Sequence, residues 1–228
     1  MGAPRLSRDR CFCLVACLGL LVSVPYTRAA DDAGGTPGWA TRADIPPRKV
    51  VVASSGCELT CARTPRVGRS VLLVSGAERQ AKALAGQPRL DLAVFPEFAL
   101  GREPGHSAAE RAVALDSDAG ERVGRLAAQR RTWIVMPMTL REPGTGGRIS
   151  NAAVLFNRSG SVAGIYRKVH PVLDRPGVWE GGVTEGDAYP VFECDFGRLG
   201  ILICWDMSYD AAWSALARAG VEIVALPS

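Results

Sequence analysis

Residues 191–226 have the sequence VFECDFGRLGILICWDMSYDAAWSALARAGVEIVAL, and this stretch indicates the fold class. Two apolar runs, Val191–Cys194 and Leu199–Cys204, flank a turn that contains a glycine, which predicts a β-hairpin. An amphipathic segment, Ser208–Ala219, predicts a helix, and Val221–Leu226 predicts the strand after it. Strands that alternate with helices are typical of an α/β protein, in which helices cover a sheet.

The chain before residue 191 continues this alternation. An Asn-Arg-Ser-Gly turn at residues 157–160 lies between two apolar runs and predicts a second hairpin. By itself, the order of the elements predicts one mixed sheet covered by helices. The predicted strands are Lys49–Ser54, Asp91–Phe95, Thr132–Leu140, Ser150–Phe156 and Val162–Arg167, and the predicted helices are Arg69–Ala85 and Ala119–Arg131.

The composition of the 228 residues is that of a globular protein. Hydrophobic residues make up 47% and charged residues 22%, values that exclude a disordered or coiled-coil chain. No apolar run reaches the roughly 18 residues that a membrane-spanning helix needs. Because the chain has only 2 His, we expect no multi-histidine metal centre. We also expect no cofactor.

The N-terminal segment has the layout of a secretory signal peptide. Met1–Arg10 is basic, Cys11–Val24 is apolar, and small residues follow at the expected cleavage site. We therefore expect residues 1–29 to be removed on export to the periplasm or the cell exterior. Residues 30–47, rich in Gly, Ala and Pro, predict a flexible lead-in, and residues 48–228 predict the folded domain.

Two alternatives stay open for the apolar segment. It could remain as a membrane anchor, although it is short for a bilayer, or Cys17 could carry a lipid, since Leu14–Cys17 resembles a bacterial lipobox. Without residues 1–29 the net charge falls from +4 to about +1. A chain this close to neutral lacks the positive charge that is typical of nucleic-acid-binding proteins. Export would also permit a local disulfide between Cys57 and Cys61.

Three residues with reactive side chains each follow a predicted strand. Glu97 follows DLAVFP, Lys168 follows VAGIYR and Cys204 follows GILI. In open α/β sheets, ligands bind at the carboxyl ends of the strands. Cys204 is the candidate nucleophile, Glu97 the candidate base and Lys168 a cation for a developing oxyanion. Taken singly, each could instead be structural: a packed thiol, a solvated loop carboxylate or a surface lysine.

Two further side chains compete for roles in the same site. His170 is a rival base for Cys204, because in an extended strand it would face the same side as Lys168. Such a Cys-His pair would indicate a peptidase. Glu180 lies in a loop that could line the cleft and position water, or could simply be a solvated connector.

Four segments, in this order along the chain, resemble the nitrilase or carbon–nitrogen hydrolase superfamily. Together they cover most of residues 48–228, and their joint agreement by chance is very improbable. The segments are Asp91–Phe98 (DLAVFPEF), Asn151–Lys168 (NAAVLFNRSGSVAGIYRK), Phe196–Asp206 (FGRLGILICWD) and Gly220–Ser228 (GVEIVALPS).

The resemblance implies a four-layer α-β-β-α sandwich and a Glu-Lys-Cys triad. Glu97 would be the general base, Lys168 the conserved lysine and Cys204 the nucleophile. Glu180 would be the second glutamate of many members, and the backbone N–H of Trp205 would help to hold the oxyanion. The implied substrate is a small amide or nitrile, and the Cys-Trp-Asp sequence favours amides or carbamoyl compounds.

The resemblance also raises an alternative function. Family members continue beyond the strand that ends here, so the chain resembles a member truncated at its C-terminus. Complete members are expected to form homo-oligomers. A truncated member could be an inactive domain that serves as a binding or interaction module.

Overall fold

The computed structural model describes residues 13–16, 21–25, 49–54, 90–101, 106–173 and 180–228. The predicted lead-in, the predicted helix Arg69–Ala85 and the proposed Cys57–Cys61 pair lie outside these residues. Most of the predicted signal peptide also lies outside them, apart from two short strands.

The strands of the described residues divide between two sheets. They are β1 (Cys13–Ala16), β2 (Leu21–Pro25), β3 (Lys49–Ser54), β4 (Leu92–Val94), β5 (Trp133–Arg141), β6 (Ile149–Phe156), β7 (Val162–Arg167), β8 (Val191–Cys194), β9 (Gly197–Ile201) and β10 (Ile223–Leu226). A six-stranded sheet has the order β2-β3-β4-β5-β6-β7, and a four-stranded sheet has the order β1-β10-β9-β8. The two predicted hairpins are confirmed as β6–β7 and β8–β9.

The single mixed sheet that the strand pattern alone predicted is therefore wrong. The segment between β7 and β8 carries the chain to a second sheet, which packs against the first. This arrangement is favoured because β5 and β6 are apolar on both faces, and one sheet with helices on one side would leave half of that surface in water.

Two hydrophobic cores show how the layers stack. In β5, Val135 lies in a core shared with residues of the four-stranded sheet, whereas its neighbours Ile134 and Met136 lie in a core on the opposite face. The helices are α1 (Ala108–Arg111), α2 (Asp118–Arg130) and α3 (Asp210–Arg218). Leu126 of α2 packs in the second core and Leu216 of α3 in the first. The order α2, six-stranded sheet, four-stranded sheet, α3 confirms the four-layer α-β-β-α fold.

The longest helix of the described residues has 13 residues. Among those residues, no helix is both long enough and apolar enough to cross a bilayer.

The end of β9 differs from the prediction. The strand covers Gly197–Ile201 rather than Leu199–Cys204, and a 3-10 helix, Cys204–Ser208, precedes α3. The backbone still runs beside β10, since Leu202 N–H donates to the carbonyl of Ala225 at 3.0 Å. Cys204 therefore lies just beyond the strand, on a turn, and not at its last position.

Candidate active site

The structure brings Glu97, Lys168, Glu180 and Cys204 into one cluster. Lys168 Nζ lies 2.9 Å from Glu97 Oε1 and 3.0 Å from the carboxylate of Glu180. Glu97 also lies close enough to Cys204 for its negative charge to raise the pKa of the thiol. Residues separated by more than a hundred positions in sequence therefore meet where three strands end, as the strand-end pattern predicted.

The local backbone explains how Glu97 and Lys168 reach this place. Glu97 follows β4, and the chain beyond it stays bonded to β5 through Leu100 N–H and the carbonyl of Pro137. Lys168 follows β7, and its N–H donates to the carbonyl of Asn151 on β6 at 2.9 Å. Both side chains thus project from the rim of the six-stranded sheet.

Lys168 is a buried cation between two carboxylates. Its side chain is 1% exposed, and burial by itself lowers the pKa of the Lys168 ammonium. The charges of Glu97 and Glu180 and their hydrogen bonds outweigh burial and raise that pKa above its ordinary value. Lys168 therefore carries a positive charge at neutral pH.

Cys204 is a partly buried thiol on a strained turn. Its φ of 45° lies in the left-handed region, which residues with a Cβ rarely adopt, and its N–H donates to the carbonyl of Pro227 at 2.8 Å. Burial, then the charge of Glu97, raises the pKa of the Cys204 thiol to about 11, with the charge of Lys168 acting in the opposite direction. At neutral pH the thiol keeps its proton, so it needs a base in order to act as a nucleophile.

A fully buried carboxylate supports the turn that carries Cys204. Asp206 Oδ2 accepts hydrogen bonds from Ile203 N–H at 3.0 Å and from the Tyr166 hydroxyl at 2.6 Å. Asp206 Oδ1 accepts the N–H of His170 at 2.9 Å. Asp206 thus joins the turn to the end of β7. Burial and the charge of Asp206 raise the pKa of Tyr166, which therefore stays a donor.

Asn151 on β6 contacts both glutamates of the cluster. Its Nδ2 donates to Glu97 Oε1 at 2.8 Å and to Glu180 Oε1 at 2.6 Å. Sequence reasoning did not single out Asn151 or Asp206. The signal for Asn151 was the hairpin register: Ala152 pairs with Arg167, so Asn151 lies opposite Lys168. Asp206 gave no such signal, because nothing in the sequence shows that it is buried.

His170 does not occupy the position predicted for a rival base. The strand β7 ends at Arg167, so His170 lies beyond it and the expected extended geometry is wrong. The His170 ring stacks on Tyr209 with 3.5 Å between ring centroids, and its Nε2 shares a hydrogen bond of 2.9 Å with the Tyr189 hydroxyl.

Trp205, the residue next to the nucleophile, has a largely exposed side chain. The indole Nε1 donates to the Tyr209 hydroxyl at 3.2 Å. The proposed role of its backbone N–H toward an oxyanion stays a prediction. Within the described ranges, no group of three or more His, Cys, Asp or Glu side chains is arranged to hold a metal ion.

Comparison with known proteins identifies the family of this chain. The family model for carbon-nitrogen hydrolases matches residues 51–228, which is most of the chain. This chain belongs to the carbon-nitrogen hydrolase family. The matched residues include every segment on which the resemblance was based. They also include most of β3 and every later strand of both sheets.

Relatives within the family carry several activities in their names. A probable nitrilase of Schizosaccharomyces pombe is 27% identical over 145 residues, which are 63% of this chain and 52% of that protein. The beta-ureidopropionase of Arabidopsis thaliana is 32% identical over 122 residues, 52% of this chain and 29% of that protein. This carbon-nitrogen hydrolase thus spans about half or less of the length of these relatives.

Solved structures share the fold. A carbon-nitrogen hydrolase from Helicobacter pylori has a TM-score of 0.56 at 26% identity, covering 72% of this chain and 54% of that one. An amidase of the nitrilase superfamily from Nesterenkonia has a TM-score of 0.55 at 22% identity, covering 71% of this chain and 58% of that one. The second likeness concerns the fold alone.

Proposed function

We propose that this carbon-nitrogen hydrolase cleaves a non-peptide C–N bond of a small amide or carbamoyl compound through a thioester on Cys204. The observation that carries the proposal is the juxtaposition of a protonated thiol, a carboxylate whose charge acts on it and a buried ammonium. These are the nucleophile, the base and the electrostatic stabiliser that acyl transfer requires.

The first half of the reaction forms the thioester. Glu97 takes the proton of the Cys204 thiol while Sγ attacks the carbonyl carbon, and the C=O π electrons move to the oxygen. The Lys168 ammonium and the backbone N–H of Trp205 stabilise the resulting oxyanion. The intermediate collapses, the C–N bond breaks, and Glu97 returns the proton to the leaving nitrogen as ammonia or an amine departs.

The second half releases the acid. Water attacks the thioester carbon, Glu97 takes a proton from that water, and the C–S bond breaks. The proton then passes to the sulfur, which regenerates the thiol and leaves the carboxylic acid as product. Glu97 therefore acts twice, as a base in each half-reaction.

Glu180 is better suited to holding Lys168 than to activating water. Its carboxylate accepts from Lys168 at 3.0 Å, from Asn151 at 2.6 Å and from the N–H of Val172 at 2.7 Å. A carboxylate that already accepts from three donors has little capacity left to take a proton from water. We therefore assign Glu180 the role of fixing the ammonium.

The proposed substrate class rests on the residues after the nucleophile, because the relatives include nitrilases as well as a beta-ureidopropionase. The Cys-Trp-Asp sequence resembles that of amidase-type members. We therefore place amides and carbamoyl compounds before nitriles.

Export of the protein is a separate proposal, which rests on the signal-like N-terminus. In the structure, β1 pairs with β10 in parallel and β2 pairs with β3 antiparallel. Cleavage after residue 29 would remove one edge strand from each sheet. The intact mass of the protein recovered from its producing cells tests this, since retention of residues 13–25 contradicts cleavage.

The function is tested by measuring ammonia release from propionamide, N-carbamoyl-β-alanine and 3-phenylpropionitrile. We expect turnover of an amide or carbamoyl compound by the natural chain, and none by Cys204→Ala. The matched control is Cys194→Ala, since Cys194 is a free cysteine buried in the core, where burial raises the pKa of its thiol to about 12. Equal activity in Cys204→Ala would refute the proposal. No turnover of the three compounds would favour a binding module.

A further inference from the structure

The side-chain amide of Asn151 donates hydrogen bonds to two acidic side chains. The residue is 1% exposed, and its two Nδ2 hydrogens are taken by Glu97 and Glu180. This pattern fixes the orientation of the amide, because a flipped amide would place its oxygen against two carboxylates. Among the described residues, Asn151 Oδ1 has no hydrogen-bond partner. This unpaired oxygen costs free energy, and the two hydrogen bonds to carboxylates offset that cost while they fix the position of both glutamates.

The contacts on Glu97 distinguish its two oxygens. Oε1 accepts from Asn151 Nδ2 at 2.8 Å and from Lys168 Nζ at 2.9 Å. A carboxylate oxygen that accepts from two N–H donors has both of its lone pairs occupied. It therefore has no free lone pair to bind a proton. The proton taken from the Cys204 thiol therefore has to bind Oε2.

We propose that Asn151 is a positioning residue that directs the proton of the Cys204 thiol to Oε2 of Glu97. This inference rests on the proposed function of the cluster. In the first step the S–H bond breaks and an O–H bond forms at Oε2. In the next step that O–H bond breaks and an N–H bond forms on the leaving nitrogen. Asn151 keeps the same oxygen turned toward the reacting atoms in both steps.

A neutral donor is required for this role. A second ammonium at this position would lower the affinity of Glu97 for the thiol proton, and a carboxylate would repel both glutamates. The amide of Asn151 orients the base without adding charge. Lys168 alone cannot fix the orientation of Glu97, because its ammonium is a point charge at the end of a flexible side chain. The amide of Asn151 is planar and is anchored in β6.

The test compares Asn151→Asp with Ser150→Ala. The aspartate has almost the same shape but replaces the donor by an acceptor. Ser150 is the neighbouring buried polar residue on β6, and its hydroxyl donates to Glu142, outside the cluster. Alkylation of Cys204 by iodoacetamide at pH 8 is followed by mass spectrometry on the tryptic peptide 199–218, which contains no other cysteine.

We expect Asn151→Asp to slow alkylation of Cys204 at least threefold, because added negative charge opposes thiolate formation. Ser150→Ala should stay within twofold of the natural chain. Misfolding cannot imitate this result, since an exposed thiol reacts faster. A rate for Asn151→Asp that equals or exceeds the natural rate, with Cys194 still protected, would overturn the proposal.

A second variant tests orientation without a change of charge. For an amide that the natural chain hydrolyses, Asn151→Ala should lower kcat at least about a hundredfold with KM within about fivefold. Asn151→Asp should also move the acidic limb of kcat/KM to higher pH. Retention of the natural kcat in Asn151→Ala would refute the inference. If the natural chain hydrolyses no amide, the proposed function fails, whereas the alkylation comparison still decides the role of Asn151.

Discussion

Replacement of Glu97 by glutamine should make Cys204 more reactive toward an alkylating agent and yet abolish hydrolysis. The carboxylate of Glu97 has two opposing effects on the thiol. Its negative charge raises the pKa of Cys204, whereas its lone pair accepts the thiol proton during catalysis. Glutamine removes both effects and keeps the shape of the side chain.

The size of the alkylation effect follows from the pKa of the thiol. With a pKa of about 11 for Cys204, about one thiol in a thousand is ionised at pH 8. Loss of an adjacent charge moves a pKa by about 1 to 3, so the thiolate fraction should rise at least about tenfold. A less basic thiolate is also a weaker nucleophile, with a Brønsted slope of about 0.4 to 0.5. The net acceleration should therefore be about threefold to thirtyfold.

Hydrolysis should change in the opposite direction. Removal of a general base costs about 10² to 10⁴ in rate, and Glu97 is needed in both half-reactions. The assay pairs iodoacetamide labelling of Cys204 at pH 8 with ammonia release from the same preparation. Glu121→Gln on α2 is the control, since Glu121 is exposed and, among the described residues, pairs along its own helix with Arg125 at 3.0 Å.

Unfolding is monitored in the same digest. Cys194 lies in the core, so its labelling rises only if the fold opens. Slower labelling of Cys204 in Glu97→Gln, with Cys194 protected, would refute the electrostatic reasoning. Undiminished hydrolysis would refute the assignment of Glu97 as the base.

Three further substitutions test the charges of the site and the carboxylates that support it. Lys168→Met should lower kcat by about 10² to 10³ with a smaller change in KM, measured by ammonia release, because the ammonium acts mainly on the oxyanion. Asp206→Asn should lower the free energy of unfolding by about 2 kcal/mol in urea titration, because it removes hydrogen bonds to a buried charge. Burial raises the pKa of Glu142, but hydrogen bonds from Arg167 and Ser150 outweigh it and lower that pKa below 4.5. The stabilisation by ionised Glu142 is therefore complete above pH 4.5 and is lost as the pH falls further, so the difference in melting temperature between the natural chain and Glu142→Gln should shrink between pH 5 and pH 3.

Much of the fold could be predicted from the sequence, because the elements that form the core are strongly patterned. The strands β3, β7 and β8 were predicted to the residue, and the predictions for β5, β6 and α2 differ from the structure by one residue at one or both ends. The division into two sheets could not be derived from the strand pattern. The division depends on which apolar face of one sheet packs against which face of the other. The periodicity within one strand carries no information about the strands on which it packs.

The candidate site was predictable only where a reactive residue follows an apolar strand. Glu97, Lys168 and Cys204 stand out for that reason, and the structure places them in one cluster. Asn151 lies inside a strand and acts across the hairpin, so its role depends on register. Asp206 is recognisable as a support only when its burial and its three donors are known.

The most direct measurement is mass spectrometry of the natural chain, quenched in acid during turnover of an amide that it hydrolyses. We expect the peptide of residues 199–218 to gain the mass of the acyl group, by formation of a thioester at Cys204, and to lose it in neutral hydroxylamine. Glu97→Gln should accumulate no adduct with the same amide. Turnover without any adduct on this peptide, or an acyl group on another residue, would contradict the assignment of Cys204 as the nucleophile.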